Sequence, residues 1–210
     1  MKALRFLITA GPTREFLDPI RFISNRSSGK MGYALAAAAA REVSRHVTLI
    51  SGPTDLASPP GVRFVGVTTA AEMAEAAFAR YEMADIIIMA AAVCDFRPKT
   101  VARRKVKKQK FAGKLELVPT IDILAELGRR KRSQVLIGFA AETNDLEQNA
   151  VDKLRRKRLD LIVANDLSAF EGDASTVTLV SPDGGIEHLP EMSKVKVARE
   201  IVKRAIAIRS

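Results

Sequence analysis

The sequence predicts a Rossmann-like α/β fold: a mostly parallel sheet with helices on both faces and a small late β-hairpin. Three observations predict this class. Apolar, β-branched segments alternate with helix-forming segments, which is typical of parallel sheets with right-handed crossovers. Residues 85–92, DIIIMAAA, form the continuous apolar run expected of a central strand that is covered on both faces. The chain of 210 residues is long enough to bury a sizeable core. We therefore expect residues 1–210 to form a single domain.

Each predicted element follows from its local pattern. Strands are short apolar runs, helices are longer segments rich in alanine or with apolar residues at helical spacing, and the late hairpin surrounds the turn PDGG. The predicted strands are residues 4–10, 47–51, 62–67, 85–92, 135–140 and 161–164, with hairpin strands 176–180 and 186–189. The predicted helices are residues 30–43, 70–81, 121–131, 145–158 and 194–208. Residues 11–28 are predicted to be a long loop, and such loops are usually functional or disordered.

Composition excludes several classes of protein. No apolar run reaches the ~20 residues that a membrane helix needs. The N-terminal residues lack the length and cleavage site of a signal peptide. We therefore expect a cytoplasmic protein without a membrane partner, and a start at Met1 close before the first strand favours a free-standing chain. With Cys94 as the only cysteine and only two histidines, an intrachain disulfide, a cysteine-based zinc site and a histidine-rich metal site are excluded. We predict no metal ligands.

The net charge of +10 favours polyanionic partners. One candidate is a nucleic acid bound along a basic face. The other is a small, highly charged ligand such as a triphosphate inside a basic site. The charge by itself does not choose between them.

Three predicted loops converge on one edge of the sheet. In open α/β sheets the ligand binds beyond the carboxyl ends of the strands. Residues 11–28, 91–111 and 139–144 all follow predicted strands and meet there. The sequence therefore places the candidate site at that edge.

The segment FISNRSSGKMGY, residues 22–33, is typical of a phosphate-binding loop that leads into a helix. The first N–H groups of a helix lack internal partners and attract anions. Ser27 or Ser28 can cap the helix or bind phosphate oxygens, and Gly29 permits a close approach. The spacing matches neither a P-loop nor a dinucleotide fingerprint. A capped helix with glycines for packing is the alternative. Asn25 can hold a developing charge on an acyl carbonyl or form an Asx turn.

The segment 96–115 carries nine basic residues and no acidic one. Such runs are usually solvated, but a lid over phosphates is the functional interpretation. Phe96 and Phe111 could stack on bases, which keeps nucleic acid open. Lys153 and Lys157, four apart on a predicted helix, are either an ordinary solvated face or phosphate ligands. Asp95 lies after the central strand, the usual position of a ligand-reading carboxylate.

With these motifs the chain resembles the phosphopantothenoylcysteine synthetase family, the coenzyme A enzymes often fused behind a flavin-dependent decarboxylase. The motifs that carry the resemblance recur in one order along nearly the whole chain. They are ITAGPTRE (8–15), LDPIRFISNRSSGKMGYALA (17–36), VTLISGP (47–53), AAAVCDFRP (90–98), KVKKQK (105–110), GFAAETND (138–145) and LDLIVAND (159–166).

The resemblance implies a reaction. The carboxylate of 4′-phosphopantothenate attacks the α-phosphate of CTP and expels pyrophosphate, and the amine of L-cysteine then attacks the acyl-cytidylate and releases CMP. It also implies Mg²⁺ on the triphosphate, a homodimer, and a separate decarboxylase as a partner. No flavin is expected, because the decarboxylase half is absent. Some relatives use ATP, which is the alternative nucleotide. The resemblance argues against a nucleic-acid partner.

The resemblance also implies residue roles. Asn25 corresponds to the asparagine that stabilises the acyl-cytidylate and its conversion, and Lys105 to the lysine that assists its formation. Arg21, Ala91 and Ala92 correspond to positions around the acyl substrate, and Ser27, Ser28, Gly29 and Lys30 are expected to hold a phosphate of one substrate. The expected nucleotide contacts are Met89, Asp95, Lys105, Ile121, Asp122, Ile123, Leu124, Phe139, Lys153 and Lys157. Ile121 replaces a proline common in the family, and Cys94 stands where alanine is expected, which argues against a catalytic thiol.

Overall fold

The computed structural model describes residues 3–42, 46–110, 113–142, 146–166 and 174–210. Strands and helices are named in chain order. The strands are β1 Phe6–Ala10, β2 Arg14–Phe16, β3 Phe22–Ser24, β4 Val47–Ser51, β5 Val62–Gly66, β6 Ile86–Met89, β7 Phe96–Pro98, β8 Leu117–Pro119, β9 Val135–Glu142, β10 Leu161–Asp166, β11 Ala174–Val180 and β12 Ile186–Ser193. The helices are α1 Lys30–Glu42, α2 Ala70–Phe78, α3 Ile123–Arg130, α4 Leu146–Arg156 and α5 Lys194–Arg209.

The main sheet confirms the predicted fold class. Within the described residues it has eight strands in the order β12-β11-β10-β9-β6-β1-β4-β5. The strands from β10 to β5 in this order all run parallel to their neighbours. The predicted late hairpin, β11 and β12, adds two antiparallel strands at one edge. This order reverses direction beside β1, so the loops after β1 and β6 lie together at the carboxyl edge.

Two hydrophobic cores cover the sheet, one on each face. Alternate residues of the central strands point to opposite faces, so Ile86 and Ile88 of β6 pack with α1 and α5, while Ile87 packs with α2, α3 and α4. All three side chains have no exposed surface. This two-sided burial explains why the central strands have continuous apolar sequences. None of the helices in the described ranges is long and apolar enough to cross a membrane.

The segment predicted as a long loop, residues 11–28, contains the hairpin of β2 and β3. Strands of three residues are too short to show a two-residue period, which is why the pattern missed them. A second short hairpin, β7 with β8, brackets the basic segment. Other differences concern element ends: β6 stops at Met89 rather than at residue 92, and α3 begins at Ile123. The predicted helix end at residue 43 and helix start at residue 145 lie outside the described residues.

Helix α1 packs directly against β1 through Gly32. A Cβ atom at Gly32 would lie 2.4 Å from the Cβ of Ala10 and 2.9 Å from its Cα. Real Cβ atoms do not approach so closely, and one of these neighbours is backbone that cannot turn away. The glycine therefore permits close helix–strand packing and sets the position at which α1 begins.

We expect Gly32→Ala to destabilise the protein by about 2 to 3 kcal/mol, because overpacking a closely packed core costs about 1 to 3 kcal/mol and backbone must move here. Thermal unfolding should show a Tm lower by roughly 4 to 10 °C. Gly66→Ala is the matched control, since its Cβ would find only Phe64 at 3.4 Å, an ordinary contact. An unchanged Tm in Gly32→Ala would contradict this packing account.

Candidate active site

Two cavities open at the carboxyl edge of the sheet, one on each side of the loop that follows β6. The small cavity, of about 190 Å³, lies towards α3 and α4. The large cavity, of about 810 Å³, lies towards α1 and α5. They share one wall, made of Ala91, Val93, Asp95, Phe139 and Lys153. A ligand could therefore extend from one cavity into the other.

The small cavity contains nearly all of the residues predicted to contact a nucleotide. Of that set, nine residues line it: Met89, Asp95, Ile121, Asp122, Ile123, Leu124, Phe139, Lys153 and Lys157. They come from four elements that are far apart in the chain. The sheet topology thus brings together residues that belong to separate motifs of the sequence.

Lys153 of α4 and Lys157, the first residue after α4, line the small cavity instead of forming a solvated helix face. Lys153 Nζ donates to the carbonyl of Phe139 at 2.9 Å. Lys157 Nζ lies 2.7 Å from a carboxylate oxygen of Asp122, and the Lys157 side chain is only 13% exposed. These oxygen partners offset the repulsion of like charges at this spacing. The interpretation of Lys153 and Lys157 as a solvated face is therefore wrong.

Asp122 both caps α3 and forms an ion pair with Lys157 at this cavity. Its side chain caps α3 by accepting from the N–H of Ala125 at 3.0 Å. Burial alone would raise the pKa of Asp122. The hydrogen bonds from Lys157 and from the N–H of Ala125, together with the charges of Lys157 and Lys153, outweigh this effect. The pKa of Asp122 therefore lies below its ordinary value. Asp122 is therefore ionised at neutral pH and holds Lys157 beside the cavity.

The large cavity contains most of the residues predicted to bind substrate. The set that lines it is Asn25, Ser27, Ser28, Gly29, Lys30, Ala91 and Ala92. Ser24 and Arg26 of the segment 22–33 also line it, as do three polar residues outside that segment that were not predicted: Asn165, Ser175 and Lys194. Asn165 lies near the end of a predicted strand, and the rule about strand ends could have identified it. Ser175 precedes the predicted strand by one residue, and Lys194 is the first residue of a predicted helix; no local pattern indicated a site at either position.

Gly29 is required by the backbone itself, immediately before α1. Its φ of +76° lies in the left-handed region, which favours glycine. A Cβ there would also lie 2.8 Å from Thr54 Cγ2. Ser27 Oγ accepts from the N–H of Gly29 at 3.3 Å. These contacts agree with the alternative interpretation of the segment, in which a serine and the glycines serve the local backbone and packing. The start of α1 nevertheless faces the large cavity.

The loop between β6 and β7 is fixed by hydrogen bonds from several sides. The N–H of Ala91 donates to Thr9 Oγ1 at 3.2 Å, and that of Ala92 donates to the carbonyl of Gly11 at 2.9 Å. Asn25 Nδ2 donates to the carbonyls of Ala92 and Val93 at 3.3 and 3.0 Å. Asn25 is thus held against the wall shared by the cavities. The two alanine N–H groups are already used within the protein.

Arg21 and Lys105 line neither of these two cavities. Arg21 instead contacts Asp18 and the carbonyl of Val106, and Lys105 is an exposed residue of the segment between β7 and β8. Phe96 is also exposed, whereas Phe111 lies outside the described residues. The other predicted nucleotide contacts and Asn25 therefore line the two cavities, whereas Arg21 and Lys105 lie outside both.

Cys94 is a buried structural residue at the shared wall. It is 2% exposed, and its Sγ lies 3.5 Å from the carbonyl of Thr13. Burial is the main effect on its thiol and, with the negative charges of Glu15 and Asp95, raises its pKa above the ordinary value. The thiol is therefore protonated at neutral pH, which is unsuitable for a nucleophile.

We expect Cys94→Ala to retain at least half of the activity, because no reacting group depends on the thiol. The free energy of unfolding should fall by about 1 kcal/mol for the small volume lost. A thiol reagent should label the native protein slowly and the unfolded protein at once. More than a tenfold loss of activity at unchanged Tm would contradict this.

A tightly bound magnesium site is not built into the described residues, which contain no group of three or more His, Cys, Asp or Glu placed to hold an ion. Mg²⁺ commonly binds through substrate phosphates and one or two carboxylates. Asp95, in the wall shared by both cavities, fits the role of such a carboxylate. The residues present thus suit a magnesium ion that enters with a polyphosphate.

A family model and individual known proteins both match this chain over nearly its whole length. Residues 1–208 match the family described as DNA/pantothenate metabolism flavoprotein, C-terminal domain. The coenzyme A biosynthesis bifunctional protein CoaBC of Bacillus subtilis is 51% identical over 96% of this chain. The chain spans about half the length of that relative, 51%.

Solved structures agree with this. The crystal structure of the C-terminal domain of a coenzyme A biosynthesis bifunctional protein CoaBC has a TM-score of 0.86 and 44% identity, covering 99% of this chain and 97% of the other. A Cab2 mutant solved in complex with phosphopantothenate-cysteine has a TM-score of 0.79, covering 99% and 88%, and its identity of 19% shows a shared fold alone.

Proposed function

This chain belongs to the DNA/pantothenate metabolism flavoprotein C-terminal domain family, and from that premise we propose that it is a phosphopantothenate–cysteine ligase. It joins 4′-phosphopantothenate to L-cysteine in coenzyme A biosynthesis and consumes a nucleoside triphosphate, CTP. The relatives named CoaBC support the pathway. The product-like ligand of the Cab2 structure is of the same chemical kind.

One observation carries the proposal: a small cavity and a large cavity meet at a wall beside Asn25. A ligation through an acyl-nucleotide needs two ligands whose reacting ends meet, one a nucleotide and one a carboxylic acid. The small cavity, at about 190 Å³, is below the ~300 Å³ typical of a site for a whole ligand. It therefore suits the base and sugar of a nucleotide whose phosphates continue past the shared wall.

The basic groups around that wall suit a triphosphate. Lys153 lines both cavities, Lys157 lines the small one, and Lys30 stands at the start of α1 in the large one. The positive end of α1 adds to their potential. We assign the small cavity to the cytidine and the shared wall to the α-phosphate, with the acyl substrate in the large cavity.

In the first step the carboxylate oxygen of 4′-phosphopantothenate bonds to the α-phosphorus of CTP, and the bond to the bridging oxygen breaks to release pyrophosphate. In the second step the amine nitrogen of cysteine bonds to the acyl carbon and loses a proton. The bond between acyl carbon and phosphate oxygen breaks, and CMP leaves. A free carboxylate resists attack by an amine, whereas the mixed anhydride is reactive. Asn25 donates to the acyl oxygen as charge develops on it, giving up one of its two hydrogen bonds to the carbonyls of Ala92 and Val93.

Several finer features complete the proposal. Mg²⁺ accompanies the triphosphate and neutralises part of its charge. Residues 1–210 form a single domain, and the protein is a cytoplasmic homodimer. A separate phosphopantothenoylcysteine decarboxylase consumes its product. CTP rather than ATP is the proposed nucleotide, as the resemblance to the synthetase family implies.

The test is a nucleotide-dependence assay with two readouts. Pyrophosphate release should require CTP and 4′-phosphopantothenate but not cysteine, while CMP release should require all three. ATP in place of CTP should give less than a tenth of the rate. Equal rates with ATP would overturn the base preference alone, and no turnover with any nucleotide would overturn the ligase assignment.

A further inference from the structure

Asp18 is a fully buried carboxylate between β2 and β3 that none of the proposed chemistry uses. Its side chain has no exposed surface. Five hydrogen bonds satisfy its two oxygens. Oδ1 accepts from the N–H groups of Ile20 and Arg21 at 2.9 Å each. Oδ2 accepts from the Arg21 guanidinium at 3.1 and 2.5 Å and from the N–H of Val106 at 3.1 Å.

The contact with Val106 reaches across 88 residues of sequence. It joins the loop 17–21 to the basic segment between β7 and β8. Arg21 closes the same contact from the other side, because its Nη2 also donates to the carbonyl of Val106 at 2.8 Å. The ion pair of Asp18 and Arg21 therefore binds both the N–H and the carbonyl of Val106.

A second contact fastens the same segment four residues earlier. The N–H of Ala102 donates to the carbonyl of Leu17 at 2.9 Å. Lys105 lies between these two anchors, immediately before Val106. Because the chain is tied on both sides of Lys105, its Cα has little freedom to move relative to the loop 17–21.

The hairpin that carries Asp18 also leads into Asn25. Strand β3 ends at Ser24, whose Oγ donates to the carbonyl of Thr13 at 2.7 Å, and Asn25 follows. The contact between Asp18 and Val106 thus fixes the lysine-bearing segment to the element that presents Asn25. Misplacement of a reacting group by about 1 Å can cost roughly 10²-fold in rate.

We propose that Asp18 is a positioning residue, which together with Arg21 clamps the backbone of Val106 and so fixes the backbone of Lys105 beside the site, from where its long side chain reaches the reacting phosphate. This inference rests on the proposed function, since the role of Lys105 belongs to it. It also gives Arg21 a structural duty besides any contact with the acyl substrate. Asp18 touches no substrate and acts through Lys105.

The test is Asp18→Asn, which keeps the size of the side chain and removes its charge. The amide group can accept at one oxygen, but its NH₂ would face the donors of Val106 and Arg21. We expect kcat for pyrophosphate release to fall about 10²-fold, with KM for CTP changed less than threefold. Trypsin should cleave after Arg103, Arg104 or Lys105 several times faster in the native variant than in the native wild-type protein.

A double variant separates positioning from simple loss of structure. If Asp18 acts through Lys105, Asp18→Asn should lower pyrophosphate release no further once Lys105→Gln is present. A variant that merely weakened the fold would multiply the loss. Glu116→Gln is the matched control, because it breaks the exposed ion pair with Lys99 at the other end of the same segment. It should change neither kcat nor the cleavage rate more than twofold.

Arg21→Lys keeps the proposal testable even if Asp18→Asn does not fold, because the Arg21 side chain is half exposed. Lysine keeps the charge but cannot bridge Asp18 and the carbonyl of Val106 in a fork. It should lower kcat about tenfold and accelerate trypsin cleavage. Unchanged cleavage in both variants would overturn the clamp, whether or not the protein proves to be a ligase. Faster cleavage with an unchanged kcat would overturn its role in positioning.

Discussion

Replacing Lys105 by glutamine is expected to lower the rate of pyrophosphate release by about 10²- to 10³-fold. A cation placed at a transferring phosphoryl group stabilises the charge that develops on its oxygens, and removing one such donor typically costs this factor. Glutamine has a similar reach but no charge. Lys105 is exposed in the structure, so the Tm should stay within about 1 °C of wild type.

The second half-reaction should survive this change. An isolated acyl-cytidylate, offered to Lys105→Gln with cysteine, should still give CMP at more than a third of the wild-type rate. Lys108→Gln removes the same charge from the same segment, three residues further on, and serves as the control with less than a twofold effect. Equal loss of both half-reactions in Lys105→Gln would contradict a role in formation of the intermediate.

Asn25→Asp is expected to have the opposite effect, with pyrophosphate still released and CMP release reduced about 10²- to 10³-fold. The amide can donate to the acyl oxygen as the amine attacks, whereas a carboxylate repels the charge developing there. The acyl-cytidylate should therefore accumulate to near the enzyme concentration. Rapid quench and mass spectrometry of the bound nucleotide would detect it.

The structure adds a condition to this prediction. Asn25 Nδ2 donates to the carbonyls of Ala92 and Val93, and an aspartate there would place an anion 3.0 to 3.3 Å from two carbonyl oxygens. Some loosening of the loop after β6 is expected, and it should appear as weaker binding of substrate rather than as unfolding. Asn149→Asp, which adds the same charge on the exposed side of α4, controls for charge alone. Loss of pyrophosphate release in Asn25→Asp would contradict the separate roles.

Much of the fold could be predicted because long elements carry their own pattern. The apolar run that became β6 indicated a strand covered on both faces, and two separate cores do cover it. The hairpin of β2 and β3 could not be predicted, because three-residue strands show no period. Its stability comes from partners elsewhere, such as Thr13, whose carbonyl accepts from Ser24 Oγ at 2.7 Å.

Site residues could be predicted where a motif lies at the end of a strand. They could not be predicted where contacts with residues distant in sequence determine the orientation or burial of a side chain. Asp95 and the loop that contains Asn25 follow predicted strands at the carboxyl edge, so position indicated this region, whereas the role of Asn25 itself came from the resemblance to the family. The orientation of Lys157 depends on Asp122, 35 residues away, and no local pattern could distinguish a cavity from solvent. The burial of Asp18 likewise depends on Val106. A buried aspartate followed by Pro19 resembles an ordinary turn in sequence.

The arrangement explains how one sheet edge can serve a two-step ligation. In the proposed function, the nucleotide and the acyl substrate would bind in the cavities on opposite sides of the loop after β6 and meet at their shared wall. That loop is anchored by Gly11 and Thr13 on one side and by Thr120 on the other, whose Oγ1 donates to the carbonyl of Cys94 at 2.5 Å. A rigid loop keeps the reacting ends in register through both steps.

The most direct measurement of the central claim follows an oxygen atom. 4′-Phosphopantothenate labelled with ¹⁸O in its carboxylate should transfer one labelled oxygen to CMP, because the carboxylate oxygen bonded to the α-phosphorus stays there when the amine displaces the nucleotide. Mass spectrometry of CMP after one turnover would show this. Unlabelled CMP, with the ¹⁸O found in pyrophosphate or inorganic phosphate, would contradict an acyl-cytidylate and with it the proposed meeting of the two cavities.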